Sequence, residues 1–277
     1  MVRAGTVKGA QVSHWGQALA LVKTEAVVIK SIRLRETSKI ATLYTSDYGL
    51  VSVVAKGSRL PKGKFGAGLE PFMHISIVFY MKEGRDLQFL SELDVIEPFL
   101  PLHRDLVRFA YGSAVVEFIS CVVHGQEKNP ALYGLLLETL RSVSKADQEV
   151  LSVLLWIFEL KACDILGYRP EFSSCVSCKN EERNLASFAP LLGGTVCDRC
   201  ISREPSAIDV RPEVVACMRK LQKASVRKIE PLKEASSLGR EITMLLDSFL
   251  AHHIERYRGL NSARMIQTIT RAVGAKT

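Results

Sequence analysis

Apolar and polar residues alternate along the early part of the chain. Between Thr24 and Glu97, β-branched and aromatic residues recur at about every second position and are interrupted by short turns. The pattern predicts five strands at residues 25–34, 40–45, 50–56, 73–81 and 87–96, with hairpin turns at 47–49 and 83–85. Short strands in this number are typical of a small Greek-key barrel of the OB type.

After Pro98 the apolar residues recur at helical spacing instead. Helices are predicted at residues 102–123, 129–143, 147–167, 212–224 and 237–257, with a short one from 262. The third of these is apolar on nearly every side, so we expect it at the centre of its domain. The predicted fold class is α+β, in which an N-terminal five-stranded OB-fold barrel is followed by an all-α domain that carries a four-cysteine zinc module.

Changes in the pattern also predict the domain boundaries. Residues 1–21 have no clear period, and we expect them to form a flexible N-terminal extension. The barrel is expected at residues 22–98 and the helical domain at 99–277, with a zinc-ribbon-like insert at about 171–205. Within the barrel, residues 57–71 hold four glycines and two prolines and are predicted to be a loop.

Four cysteines provide the most specific local motif. Cys175 and Cys178 form one C-x-x-C pair, Cys197 and Cys200 form another, and eighteen residues separate the pairs. This spacing is typical of a zinc ribbon, in which each pair lies on a tight knuckle. Four thiolates leave no coordination position for water, so we predict one structural zinc ion rather than a catalytic one. The alternatives are two disulfides, a site that has lost its metal, or a redox-active dithiol.

The composition indicates a protein of the cytoplasm with a polyanionic partner. The 277 residues carry a formal net charge of +8, which favours binding to nucleic acid or to acidic proteins. The seven cysteines occur without a secretory signal or a membrane-spanning apolar run, so we expect a reducing compartment and no membrane partner. The other three, Cys121, Cys163 and Cys217, fall in helical patterns and are predicted to be packing residues.

Basic residues are concentrated in the barrel segment. Between residues 23 and 64 there are nine Lys or Arg residues against three acidic ones. Many lie at strand ends or in the glycine-rich loop, where long side chains can reach a phosphate backbone, and aromatic residues between them could stack on bases. The predicted DNA-binding residues are Lys56, Arg59, Lys62, Lys64, Arg33, Arg35 and Lys39. A solvated basic face over ordinary core aromatics is the alternative interpretation.

Two further groups of residues are less informative. A second basic cluster near the end of the chain contains Arg256, Arg258, Arg264, Arg271 and Lys276. His252 and His253 are adjacent on a predicted helix and therefore point about 100° apart, which is poor geometry for a shared metal ion. No metalloprotease, nucleophile-elbow or dinucleotide-binding motif is present, and this argues against an enzyme.

An ordered series of short motifs resembles the bacterial RecO family of recombination mediator and DNA repair proteins. The resemblance extends from about Thr24 to Met265. The motifs are Glu36-Thr37-Ser38, Val54-Ala55-Lys56-Gly57-x-Arg59, Leu69-x-Pro71-Phe72, Phe158-Glu159-Leu160, Leu166-Gly167-Tyr168-x-Pro170 and the four cysteines. Near the C-terminus the family's Leu-Lys-Ser-Lys/Arg run is replaced by Leu260-Asn261-Ser262-Ala263-Arg264.

The resemblance implies a non-enzymatic recombination mediator in the bacterial cytoplasm, associated with the nucleoid. Such proteins bind single- and double-stranded DNA and anneal complementary strands. With RecR, and in many bacteria RecF, they help load RecA onto DNA coated by single-strand-binding protein, whose acidic C-terminal tail docks on the helical domain. Taken alone, the residues leave open an RNA-binding OB protein, a zinc-dependent enzyme such as a nuclease, or a scaffold for acidic proteins.

Overall fold

The computed structural model describes residues 20–34, 36–58, 65, 67–181, 185–227, 235 and 237–274, the last five of these as backbone only. They fall into two compact units. One comprises residues 20–98 together with 125–128, and the other comprises residues 99–124 and the chain after 128. Within the described part of the chain, no helix combines the length and the apolar character that crossing a membrane requires.

The first unit is built from five strands. These are β1 (Ala20–Leu34), β2 (Ser38–Thr45), β3 (Gly49–Ala55), β4 (His74–Met81) and β5 (Leu87–Glu97). The strand order is β1-β2-β3-β5-β4, and β4 also pairs with β1, so the sheet closes into a barrel. All neighbours are antiparallel except β3 and β5, which are parallel. Alternate residues of each strand fill the interior, as the period of two predicted.

Strand β1 begins earlier than the sequence pattern indicated. Ala20 pairs with Met81 and Leu21 pairs with Tyr80, so these two residues belong to the barrel and not to the predicted extension. The rest of that extension, residues 1–19, lies outside the described residues. The first half of β1 pairs only with β4. Because β4 is distant in the sequence, the local periodicity of β1 does not reveal this pairing.

The turn between β2 and β3 is fixed by its side chains and by a close backbone approach. The Asp47 carboxylate accepts hydrogen bonds from Thr24 Oγ1 at 2.8 Å and from Lys128 Nζ at 2.7 Å. Hydrogen bonds from Lys128, then from Ser46 and Thr24, lower the pKa of Asp47 to about 2. Gly49 has a φ of +58°, and a Cβ there would lie 2.8 Å from backbone atoms of Glu127. A glycine is therefore required at this position.

The second unit contains seven α-helices in its described residues. They are α1 (Leu100–Arg104), α2 (Leu106–Val122), α3 (Pro130–Lys145), α4 (Leu151–Ile165), α5 (Pro212–Lys223), α6 (Gly239–His253) and α7 (Asn261–Gly274). Helix α3 begins as predicted, because the Asn129 side chain accepts a hydrogen bond from Leu132 N at 3.0 Å. Helix α6 is shorter at both ends than predicted, and α7 is a full helix of 14 residues rather than a short one.

The single helix predicted at residues 102–123 is wrong, because Asp105 divides it into α1 and α2. Asp105 has extended backbone angles, φ −116° and ψ 118°, and its carboxylate accepts hydrogen bonds from Val107 N and Arg108 N. A short acidic side chain satisfies the free N–H groups of a helix start better than it fits a helix interior. The apolar spacing continues across Asp105, so the sequence pattern does not reveal the break between the two helices.

Helix α4 lies at the centre of the helical unit, as its apolar circumference predicted. Ten of its residues are buried, and Phe158 meets Phe118 of α2 edge to face at 5.5 Å. Glu159 is buried among these residues, and burial, followed by the nearby Asp247 carboxylate, raises its pKa well above the ordinary value. The barrel and the helical unit with its cysteine cluster confirm the predicted α+β fold class.

Candidate functional site

The four cysteines meet at one point of the helical unit. Their Sγ atoms all lie within 4.8 Å of one another, and those of Cys178 and Cys197 are 3.8 Å apart. Sulfur atoms at about 2.3 Å from a tetrahedral zinc ion are separated by roughly 3.8 Å. Cys175, Cys197 and Cys200 are buried, whereas Cys178 is exposed. The cluster therefore fits a four-coordinate metal ion.

Backbone donors prepare the cluster for a cation. Burial raises the pKa of Cys175, but hydrogen bonds from the backbone N–H groups of Cys178, Cys197 and Ser177 outweigh it and bring the pKa to about 6. Cys175 is then a thiolate at neutral pH, the form that binds metals. The hydrogen bond with Cys197 is the main cause that raises the pKa of Cys200 to about 12. A dication among the four sulfurs would favour the loss of that proton.

A small sheet and an aromatic stack support the cysteine cluster. The sheet consists of β6 (Ser187–Ala189), β7 (Gly194–Val196) and β8 (Ile208–Asp209), with β6 in the middle. Phe188 stacks on Phe172 at 5.5 Å and meets Phe249 of α6 at 6.4 Å. His253 Nε2 lies 2.9 Å from Pro190 O. His253 thus contacts the cysteine module through this backbone oxygen, and its neighbour His252 contacts Ser248 O.

A second candidate site lies on the barrel, where a cavity of about 420 Å³ opens between β3, β4 and β5. We call it the aromatic cavity. Its described lining residues are Val54, Lys56, Phe65, Tyr80, Lys82, Arg85, Phe89, Leu90 and Ser91. Val54, Phe65 and Leu90 are buried and provide an apolar floor, whereas cationic side chains lie around the opening. The cavity thus combines an apolar interior with a positively charged rim.

Strand register places the aromatic residues of this cavity side by side. Tyr80 of β4 pairs with Phe89 of β5, and Phe89 also pairs with Val54 of β3. Phe89 and Tyr80 remain 38% and 40% exposed. Because alternate residues of a strand share a face, Lys56 and Lys82 follow Val54 and Tyr80 on the same outer surface.

The turn between β4 and β5 is held by a buried glutamine. The Gln88 side chain accepts a hydrogen bond from Lys82 N at 3.0 Å and donates to Lys82 O and Arg85 O at 3.1 and 2.9 Å. Because Gln88 points into the barrel, its neighbour Phe89 must point outward. Gln88 therefore fixes the backbone from which Lys82 and Arg85 extend to the cavity.

Two cations lie against the Phe89 ring. Lys56 Nζ is 4.8 Å and Arg85 Cζ is 5.8 Å from the ring centroid. At an exposed site each such contact contributes only about 0.5–1 kcal/mol, so the cations are easily displaced to a better partner. Glu83 and Asp86 occupy the same turn without lining the cavity. In the part of the chain that the structure describes, no ion pair joins these two cations to a carboxylate.

Only some of the predicted DNA-binding residues can be located. Lys56 lines the aromatic cavity. Arg33 of β1 is exposed and pairs with Lys39 of β2, and Lys39 in turn pairs with Ala55 of β3. The strand register therefore places Arg33 and Lys39 in line with Ala55, the residue before Lys56. The Lys39 ammonium is 2.6 Å from Glu70 Oε1 and its side chain is largely buried, which makes it less available to a ligand. The remaining predicted residues, Arg35, Arg59, Lys62 and Lys64, lie outside the described residues.

Sequence reasoning missed Lys82, Arg85 and Phe89 as members of this site. The only available indication was the stretch Leu87-Gln88-Phe89-Leu90, in which one polar residue interrupts apolar ones. Alternation alone does not tell which of the two faces is buried. The sequence therefore does not show that Phe89 faces outward, and the cations around it cannot be recognised as one group.

The second basic cluster is partly occupied with contacts inside the protein. Arg258 Nη1 donates hydrogen bonds to Glu255 O and Tyr257 O at 2.7 and 2.8 Å. Arg256 and Arg264 are exposed, whereas the side chains of Arg271 and Lys276 lie outside the described residues. Arg258 also lines a cavity of about 700 Å³ together with Asp247 and Tyr257. Within the described residues, the cluster therefore combines this cavity with an exposed basic surface.

Comparison with known proteins gives consistent matches over both units. A family model described as Recombination protein O N terminal matches residues 19–99, and one described as Recombination protein O C terminal matches residues 103–262. The DNA repair protein RecO of Symbiobacterium thermophilum is 30% identical over 257 residues, which cover 92% of this chain and 100% of that protein. The DNA repair protein RecO of Caldanaerobacter subterraneus subsp. tengcongensis is 32% identical, with 86% and 94% covered.

Proposed function

Because the chain belongs to the RecO family of DNA repair proteins, we propose that it is a non-enzymatic mediator of homologous recombination. In this proposal it binds single- and double-stranded DNA and anneals complementary strands in the bacterial cytoplasm, at the nucleoid. Together with RecR, and with RecF where present, it helps load RecA onto DNA coated by single-strand-binding protein. The acidic C-terminal tail of that protein is the proposed contact on the helical unit.

The observation that carries the DNA-binding part is the cationic rim of the aromatic cavity. Lys56, Lys82 and Arg85 surround an opening on the outer face of three adjacent strands. Cationic side chains that face solvent can replace the counterions of a phosphate backbone without breaking an internal ion pair. Arg59, Lys62 and Lys64 follow Lys56 within eight positions of the sequence, and we propose further phosphate contacts for them. Arg33 and Arg35 are proposed to extend the surface, and Lys39 would first have to leave Glu70.

The cysteine cluster is proposed to hold one zinc ion with a structural role. The donor set of four thiols, their mutual distances and the lowered pKa of Cys175 support this assignment. When bound, the ion cross-links the two knuckles. With four sulfur ligands it offers no open position for a substrate, so the proposed activity does not involve catalysis at the metal.

Salt dependence of DNA binding tests the proposal. The double variant Lys56→Ala with Arg59→Ala should weaken binding to DNA of any sequence and reduce the slope of log K against log salt by about 2, because two phosphate contacts are lost. Fluorescence anisotropy with a labelled oligonucleotide from low to moderate salt measures this slope. Lys145→Ala, which removes an exposed cation at the end of α3, is the control. A double variant with the wild-type slope would contradict the proposed surface.

A further inference from the structure

We propose that the aromatic cavity receives an unpaired base of single-stranded DNA, which stacks on Phe89 and Tyr80. The inference rests on the proposed function and goes beyond it, because it assigns the preferred strand type and the residues that select it. Phosphate contacts by cations do not distinguish a single strand from a duplex. A site that stacks on the face of a base does distinguish a single strand from a duplex, because that face is available only where the base is unstacked.

Two paired aromatic residues are exposed at the edge of the cavity. Phe89 and Tyr80 are cross-strand partners and both keep more than a third of their surface in solvent. A single exposed aromatic residue is common on protein surfaces. Two neighbouring ones at the edge of a cavity with an apolar floor form a stacking platform, and every base offers a π-face to such a platform.

The cations that lie against Phe89 can bind the phosphate of the same nucleotide. In the free protein Lys56 Nζ and Arg85 Cζ lie 4.8 and 5.8 Å from the ring centroid. A nucleotide carries a flat base and a phosphate a few bonds apart. When its base takes one face of the ring, the displaced ammonium or guanidinium can bind that phosphate. The exchange replaces weak cation–π contacts with stacking and a charge-assisted hydrogen bond.

The size and polarity of the cavity suit a base without selecting its sequence. Its volume of about 420 Å³ is within the range of sites for small organic groups. Among the described lining residues, the neutral polar groups are the Ser91 hydroxyl and the Tyr80 phenol. These two neutral groups cannot read the edges of four different bases, and the cations of the rim are proposed to bind phosphates instead. The site therefore selects unpaired bases with little preference for sequence, which suits a protein that acts on DNA wherever it is damaged.

Duplex DNA is disfavoured in the same cavity. Its bases are stacked on one another, so a base must be extruded before its face can reach Phe89, and this step costs energy. The cationic rim can still contact the duplex backbone. We therefore expect duplex binding to depend on Lys56 and not on Phe89.

The test compares three probes with variants of the full-length protein. The probes are an oligothymidine, a strand of equal length with abasic sites, and a matched duplex. Phe89→Leu keeps an apolar side chain but removes the π-face, so we expect binding of oligothymidine to weaken between about 5-fold and 100-fold. Binding of the abasic strand and of the duplex should change by less than about 2-fold, because phosphate contacts remain. Ile96→Ala, which alters another exposed apolar residue of β5, is the control and should behave as wild type.

A tryptophan at this position provides a direct readout. Phe89→Trp should restore the affinity for oligothymidine, and its fluorescence should be quenched by oligothymidine but not by the abasic strand. An equal loss of binding to all three probes in Phe89→Leu would overturn the inference, because the residue would then act only by supporting Lys56 and Arg85. Wild-type affinity of Phe89→Leu for oligothymidine would overturn it as well.

Two further outcomes distinguish base stacking from protein docking and from failure of the whole DNA-binding surface. If an acidic peptide with a terminal phenylalanine quenches the Phe89→Trp signal and oligothymidine does not, the cavity is a protein-docking site and the inference is wrong. If the Lys56 and Arg59 double variant keeps the wild-type salt slope, the proposed DNA-binding surface fails, whatever the Phe89 variants show. Selective loss of oligothymidine binding in Phe89→Leu, with a reduced salt slope in the double variant, supports both.

Discussion

Glu117 of α2 binds the first residues of α7. Its carboxylate accepts hydrogen bonds from the backbone N–H groups of Asn261 and Ser262 and from both of their side chains, at 2.7–2.9 Å. These residues begin α7, where free N–H groups and the helix dipole favour a negative charge. Residues 261 and 262 therefore attach α7 to α2, a role that their sequence alone does not suggest.

The pKa of Glu117 leads to a prediction about stability. Burial raises this pKa, but the hydrogen bonds from Ser262 and Asn261 outweigh it and the pKa lies below the ordinary value. A carboxyl whose pKa is lowered by folding stabilises the protein above its unfolded pKa of about 4.3, and this contribution is lost as the pH falls through the folded pKa. Glu117→Gln should therefore lower the free energy of unfolding by about 1 kcal/mol at pH 7 and by less at about pH 4.

Urea unfolding followed by circular dichroism at both pH values measures this difference. Glu92→Gln, a change at an exposed position of β5, serves as the control and should have little effect at either pH. A deficit of Glu117→Gln that is the same at neutral and at acidic pH would show that shape, and not the charge of the carboxylate, is responsible.

At the scale of structural elements, the cysteine module is the part least able to fold by itself. Its strands β6, β7 and β8 contain three, three and two residues. Strands this short are not stable without additional cross-links. Gly194 is also confined, because a Cβ there would lie 2.7 Å from Glu171 O and closer still to Val176. We therefore expect the proposed zinc ion to supply much of the stability of this element.

Loss of the metal ligands should unfold the module. Cys175→Ser with Cys178→Ser removes one knuckle, and we expect insoluble protein or a loss of several kcal/mol of stability. Zinc content and thermal unfolding with and without a chelator provide the measurements. Cys121→Ser, a change of a half-buried cysteine of α2 outside the cluster, should leave zinc content unchanged. A double variant that is as stable and active as the wild type would contradict a structural metal site.

At the scale of the whole molecule, the proposed mediator must handle DNA that another protein already covers. The net charge of +8 favours both DNA and an acidic tail. The full-length protein should anneal complementary oligonucleotides coated with the cognate single-strand-binding protein, and annealing should be lost when the coating protein lacks its acidic tail. Fluorescence energy transfer between labelled strands measures annealing. Equal annealing with and without the tail would exclude the tail as the contact, and no annealing with folded, zinc-loaded protein would exclude the mediator function.

The local periodicity of the chain was sufficient to predict most of the architecture. All five barrel strands, the central helix α4 and the start of α3 at Asn129 follow from spacing and capping residues, because these properties involve neighbours along the chain. The break at Asp105 was missed for the same reason, since the apolar spacing continues through it. The thiols of Cys175 and Cys197 could be placed together because two C-x-x-C pairs at this separation have few alternative geometries.

The sequence by itself thus determined the element types, the fold class and the grouping of the four cysteines, all of which depend on short-range pattern. Tertiary structure alone decided that Phe89 points outward beside Tyr80, that Lys82 and Arg85 surround it, and that Lys39 is held by Glu70. The physical reason is that an alternating strand has the same period on either face. Only the closure of the barrel selects the face that is buried and the residues that meet across strands.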